Sequence, residues 1–153
     1  MAERVRVDTL SADWQELLAA ATAARAAAYV PYSRFAVGAA VRTGDGRIFS
    51  GANIENAAYG LTACAERVAI WKAVSEGHQD LAALALVTET GSSPCGSCRQ
   101  VMGEFARELP VLIADTAGNA WLTSLAELLP LSFSVFNSSL LIFPNSLRHR
   151  PCS

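Results

Sequence analysis

A chain of 153 residues is long enough for one domain with a proper core. It is 52% hydrophobic and 17% charged, and a formal net charge of −2 without a dense basic stripe excludes a nucleic acid polymer as partner. No secretory leader is legible, and no apolar run approaches the roughly 18–20 residues that cross a bilayer, so a cytoplasmic protein with no membrane partner and four reduced cysteines is expected.

Residues 1–10 form a loose lead-in. Ser11 can cap a helix reaching Tyr29, with Asp13 and Glu16 early and Arg25 late, and Pro31 stops it. Phe35 to Thr43 is a predicted strand, Gly44-Asp45-Gly46 a turn, and Arg47 to Gly51 the returning strand. Asn53 to Leu61 is a loop. Thr62 can cap a helix over 63–76 that ends at Gly77.

Leu81 to Thr88 is apolar enough for a strand buried on both faces. A loop through Pro94 leads to a helix over 95–108. Strands at 110–114 and 120–123 flank a turn, and a short helix at 124–129 ends at Pro130. The predicted order, α-β-β-α-β-α-β-β-α, implies a mixed sheet flanked by helices in a layered α/β domain.

Chemistry concentrates in two segments, Cys64-Ala65-Glu66-Arg67 and Pro94-Cys95-Gly96-Ser97-Cys98-Arg99-Gln100. Three thiolates can hold Zn²⁺ and leave its fourth position open to water, and a nearby carboxylate can carry protons. Cys95 and Cys98 lie about 60° apart around a helix, so both can point to one side. Cys64 and Glu66 are about 200° apart, which puts the metal off the helix end with Glu66 reaching around. Two helix N-termini aimed at one metal favour thiolates, and Arg67 offsets the residual negative charge.

Two plainer readings compete. Cys-x-x-Cys alone also suits a redox pair or half of a structural zinc knuckle, which closes with four protein ligands. Of the remaining candidates, Cys152 lies in an odd terminal tail, and His78 and His149 lie outside ligand-like spacing and are expected to be solvated. Glu66 favours an open catalytic site, because a closed one has no use for it.

The chain resembles the cytidine deaminase family of the small, homotetrameric, three-cysteine type. The likeness runs from about Ala28 to Phe133. It rests on both cysteine segments, on Pro31-Tyr32-Ser33-Arg34-Phe35-Ala36-Val37-Gly38-Ala39-Ala40, and on Gly51-Ala52-Asn53-Ile54-Glu55-Asn56-Ala57. The resemblance implies a three-layer fold with a five-stranded mixed sheet, and one Zn²⁺ per subunit on Cys64, Cys95 and Cys98. Glu66 would be the proton shuttle in hydrolysis of cytidine or 2′-deoxycytidine to the uridine and ammonia.

It further implies that Asn53 and Glu55 bind the ribose 3′-hydroxyl, which suits their hydrogen-bonding capacity and selects a free nucleoside. Phe35 and Val37 would line the pocket, and the backbone N–H of Ala65 would meet the pyrimidine carbonyl. Tyr59 and Phe133 would reach across subunit boundaries, making each active site composite. A modified cytosine nucleoside is the alternative substrate, and a structural zinc module the non-enzymatic alternative.

The family pattern stops after Phe133. Residues 134–153 contain no Asp or Glu and end in a basic stretch. The expected organisation is a catalytic domain over 1–133 and an atypical tail over 134–153, from an altered reading frame or recent acquisition, the alternative being a genuine extension that packs on a neighbour. Asn137-Ser138-Ser139 matches a glycosylation sequon that is incidental without a secretory signal.

Overall fold

The computed structural model describes residues 2–133; the tail, Cys152, His149 and the sequon lie outside the described residues. In chain order the main elements are β1 (Glu3–Arg6), α1 (Ala12–Arg25), β2 (Gly38–Thr43), β3 (Ile48–Ala52), α2 (Ala65–Ser75), β4 (Leu81–Val87), α3 (Gly96–Phe105), β5 (Pro110–Ala114), β6 (Asn119–Ser124) and α4 (Leu125–Leu128). The sheet order is β1-β6-β5-β4-β2-β3. Among the described strands, only the neighbours β4 and β5 run parallel, joined by a crossover through α3.

Strand alternation sorts apolar side chains to two faces. Ala39, Val41, Leu84, Leu86, Val111 and Ile113 share one core with α2, α3 and α4. Their neighbours Ala40, Ala85, Leu112 and Ala114 share the other with α1. Complete burial of Leu84 and Leu112 contributes about 1.5–3 kcal/mol each before ordering costs. Two glycines permit the close layers. A Cβ on Gly38 would lie 2.0 Å from the Ala21 carbonyl oxygen of α1, and one on Gly51 would lie 2.7 Å from the Ala69 nitrogen of α2.

The expected layered class is present, with six strands rather than five. The extra strand comes from the supposed lead-in, where Glu3–Arg6 pairs antiparallel with β6 and places Val5 opposite Ala120. Its mostly charged sequence hides it, because only tertiary pairing makes it a strand. Helix α1 also ends earlier than its alanine content suggests. Tyr29 leaves the helical path to donate its N–H to Asn53 O at 3.0 Å and accept from Glu55 N at 2.8 Å.

Two further boundaries move toward the cysteines. The strand expected from Phe35 starts at Gly38, and the helix expected from Ala63 starts at Ala65 with Cys64 as its N-cap. Residues 62–64 stay extended because Ala63 exchanges both backbone hydrogen bonds with Ile54, at 2.9 and 3.0 Å. Cys95 likewise caps α3 instead of lying inside it, and α3 stops at Phe105 rather than Glu108.

Candidate metal centre and active site

Placing Cys64 and Cys95 at N-caps puts both thiols where unpaired helix N–H groups converge. Cys64 Sγ lies 3.9 Å from Cys95 Sγ, and Cys95 Sγ lies 3.5 Å from Cys98 Sγ. Zinc–thiolate bonds of about 2.3 Å in a tetrahedron require sulfurs about 3.8 Å apart. The observed distances bracket that value, and all three sulfurs lie within 4.8 Å of one another. The cluster therefore fits Zn²⁺ as a three-ligand set.

Charge is graded across the cluster. The Cys64 thiol is drawn down to about 5, first by a hydrogen bond from Cys98 and then by Arg67, against the opposing effect of burial. Cys98, fully buried, is pushed up by its bond to Cys64 and by desolvation. Arg67 Nη2 donates to Thr62 O at 2.7 Å and reaches Cys64 Sγ at 3.6 Å, while its guanidinium carbon sits 5.6 Å from the centre of the Trp71 ring. That geometry provides positive charge beside a thiolate.

Glu66 is 4% exposed. Burial raises its pKa most, and the negative charge of Cys64 adds to the rise. A buried carboxyl of this kind holds a proton more readily than a surface one. Among the described residues, the three cysteines are the one group able to hold a metal ion, and no fourth protein ligand joins them. His78 lies elsewhere, and it is not solvated as expected. Its side chain is 19% exposed, with Nδ1 at 3.3 Å from Asp45 Oδ2 and its ring packed on Phe49.

A cavity of about 380 Å³ is lined by Tyr32, Ser33, Glu55, Tyr59 and Thr62. Glu55 Oε2 accepts N–H bonds from Tyr32 at 2.9 Å and Ser33 at 3.2 Å, which leaves Oε1 as a further acceptor. The Ser33 hydroxyl and these N–H groups lower the Glu55 pKa, so it stays ionised. Asn53 is committed differently. It is 8% exposed, its Oδ1 accepts from Val37 N at 2.9 Å, and its Nδ2 donates to Phe35 O at 2.8 Å.

The other expected site residues are spread around this region. Ala65 is fully buried at the first position of α2, where its N–H has no intrahelical partner. Val37 packs against the same core as Cys64. Phe35, Tyr59 and Phe133 are 37%, 76% and 77% exposed, and Phe133 meets α3 through its carbonyl, which accepts from Gln100 Nε2 at 2.9 Å. Tyr32, Ser33 and Thr62 were not expected as cavity walls. Arg34, next to Ser33, adopts a positive φ of 59°, a conformation that its residue type does not signal in sequence.

Fold and site together define a zinc centre of the hydrolytic base-deaminase class. The family model described as the cytidine and deoxycytidylate deaminase zinc-binding region matches residues 11–113. A cytidine deaminase from Sporosarcina psychrophila is 50% identical over 125 residues, 80% of this chain and 92% of the relative. A blasticidin-S deaminase from Bacillus cereus is 37% identical over 108 residues, 64% of this chain and 76% of the relative. The crystal structure of cytidine deaminase from Burkholderia pseudomallei superposes with a TM-score of 0.77 at 46% identity, covering 81% of this chain and 100% of the other. The chain belongs to the cytidine and deoxycytidylate deaminase family.

Proposed function

We propose that this chain hydrolyses cytidine and 2′-deoxycytidine to uridine and 2′-deoxyuridine with release of ammonia, a step of pyrimidine salvage. The observation that carries the reading is the three-thiol cluster at zinc-binding separations beside a buried carboxyl group. Cys64, Cys95 and Cys98 hold one Zn²⁺ per subunit, and Arg67 balances the excess thiolate charge. When bound there, zinc lowers the pKa of water at its open fourth position and so makes a nucleophile available at neutral pH.

Glu66 moves the protons. It takes one from the incoming water and delivers it to ring N3 as oxygen adds to C4. It then takes the proton of the new C4 hydroxyl and passes it to the departing amino group, returning to its starting state. Burial of Glu66 supports this role, since a carboxyl with a raised pKa can both accept and return a proton.

Recognition divides among neighbouring elements. Glu55 accepts from the ribose 3′-hydroxyl through Oε1, and Asn53 offers its second amide N–H to the same hydroxyl while bracing Phe35 and Val37 along the pocket. The Ala65 N–H donates to the pyrimidine carbonyl. Tyr59 and Phe133 complete the site of a neighbouring subunit in a homotetramer, a reading supported by their exposure in the single chain. No helix among the described residues is long and apolar enough to cross a membrane, and cytoplasm is the proposed location.

The test is an ultraviolet assay of cytidine and deoxycytidine with zinc stoichiometry measured on the same sample. Turnover with about one zinc per subunit is expected from the three-ligand site. A zinc-loaded, folded protein inert on both and on a modified cytosine nucleoside would overturn the reading in favour of a structural zinc module. Similarity to a blasticidin-S deaminase favours one second reading, a modified cytosine nucleoside as substrate. Faster ammonia release from such an analogue than from cytidine would establish it.

A further inference from the structure

Arg99 follows Cys98 on α3, and its guanidinium reaches three groups on two other stretches of chain. Nε donates to Pro94 O at 2.8 Å, Nη2 to Ser93 Oγ at 3.0 Å, and Nη1 to Leu128 O at 2.8 Å. Pro94 immediately precedes Cys95, and Leu128 closes α4, where terminal carbonyls lack helical partners. The adjacent Gln100 holds Phe133 O. Arg99 therefore clamps the loop that delivers Cys95 against the last turn of α4.

We infer that Arg99 is a positioning residue for the metal centre. It acts through the Ser93–Pro94 backbone, holding the Cys95 thiol at the spacing from Cys64 that zinc requires. The planar guanidinium suits three acceptors in different directions, whereas a lysine ammonium is a single point charge on a flexible stem. The loop between β4 and α3 is otherwise restrained near its start, where Ser92 N donates to Thr88 Oγ1 at 2.8 Å. At the Cys95 end the Pro94 ring is buried, and the Arg99 clamp adds the hydrogen bonds that fix the Ser93–Pro94 backbone, so its loss loosens the segment that carries Cys95. The inference rests on reading the cysteine trio as a zinc site.

The test compares full-length wild type, Arg99→Gln, Arg99→Lys and Arg42→Gln. Arg42 also ties elements together, bonding Asp13 O at 2.7 Å and Glu16 at 2.9 Å on α1, and it serves as a merely structural arginine. Zinc affinity is read by competition with a chromophoric chelator, and the thiolate geometry by the absorption spectrum of the Co²⁺-substituted protein. Arg99→Gln should weaken zinc by about 10–100-fold, as loss of a group supporting metal ligands does, and alter the Co²⁺ bands.

Arg99→Lys should fall between wild type and Arg99→Gln. Arg42→Gln should lower the melting temperature alone, with zinc affinity and spectrum unchanged. Folded Arg99 variants with wild-type affinity and spectrum overturn the inference. So does failure of both to fold, which would assign Arg99 to the fold and not to the metal. A wild type that binds no zinc overturns the zinc reading itself, so the two failures are distinguishable.

Discussion

Cys64 and Cys95 cap two different helices, and their sulfurs lie 3.9 Å apart. Their contact brings the N-terminal ends of α2 and α3 together at one point. The metal site is thus built at two helix starts, one following the Ile54–Ala63 bridge and one following Pro94. Cys98 adds the third sulfur from the first turn of α3.

Removing a ligand should uncouple metal from fold. Cys98 is fully buried among Ala65, Ile70 and Met102 in the core below the cluster. Cys98→Ala should lose zinc and activity together, with a lower melting temperature that added zinc no longer raises. Metal content by elemental analysis and thermal unfolding with and without zinc check this. Full zinc retention would contradict the ligand assignment.

Glu66→Gln keeps the volume of the side chain and removes its proton-carrying ability. Turnover of cytidine should fall by about 10²–10⁴-fold while zinc content and far-ultraviolet circular dichroism stay as in wild type. An equally active variant would remove Glu66 from the mechanism.

Asn53 and Glu55 should fail in different ways. With cytidine, Glu55→Gln and Asn53→Ala should both reduce kcat/KM. With 3′-deoxycytidine the Glu55→Gln penalty should vanish, since its partner hydroxyl is gone. Part of the Asn53→Ala penalty should persist, because Asn53 also braces Val37 N and Phe35 O, and an orphaned buried polar group costs about 1–3 kcal/mol. Equal disappearance of both penalties would assign Asn53 to the hydroxyl alone.

Glycines on α3 and β3 should respond with opposite signs. A Cβ on Gly51 would sit 2.7 Å from Ala69 N and 2.8 Å from Val68 Cβ, so α2 must shift with its Cys64 cap and Glu66. Gly51→Ala should cost about 1–3 kcal/mol and reduce kcat. Gly103→Ala would meet only Leu129 Cδ2 at 3.7 Å and Leu125 Cδ2 at 3.9 Å, and should gain about 0.5–1 kcal/mol from helix propensity. Chemical denaturation of both variants gives the signs.

Acid should act on the turn between β5 and β6. Asp115 Oδ1 accepts from Ala117 N at 2.9 Å and Asn119 N at 2.8 Å, and Oδ2 accepts from Asn119 Nδ2 at 2.8 Å. The Asn119 side chain first, then these backbone donors, hold the Asp115 pKa below its ordinary value. A depressed folded pKa contributes stability that is present above the unfolded value of about 3.9 and is lost as pH falls through the folded one. Asp115→Ala should therefore be less stable than wild type at neutral pH and lose less on further acidification. Parallel pH–stability curves would contradict the assignment.

Much of the site was legible because the relevant order is local. Cys95 and Cys98 share a helix start, and their spacing alone puts two thiols on one side. The β5 strand was legible for the same reason, as an apolar run between Pro110 and a turn-forming Asp115. What escaped depends on distant partners. Cys64 becomes a cap because Ile54 holds Ala63 extended, although Thr62 is the better capping residue by type. His78, which follows α2, is shielded by Phe49 and Asp45 from the β2–β3 hairpin, and Asn53 bonds backbone groups 16 and 18 residues away.

The Glu3–Arg6 strand has a consequence far from any chemistry. It forms one margin of the sheet, at the opposite end from the β2–β3 hairpin on which α2 rests. Its exposed Arg4 and Arg6, the latter paired with Asp8 at 3.2 Å, place charged groups along that margin, which discourages two molecules from joining margin to margin. Trimming that strand would bare β6 and its apolar Leu122 face to other chains. Resistance to edge-to-edge association is thereby carried by a strand that contributes none of the three cysteines and not Glu66, so it can change by mutation without touching those residues.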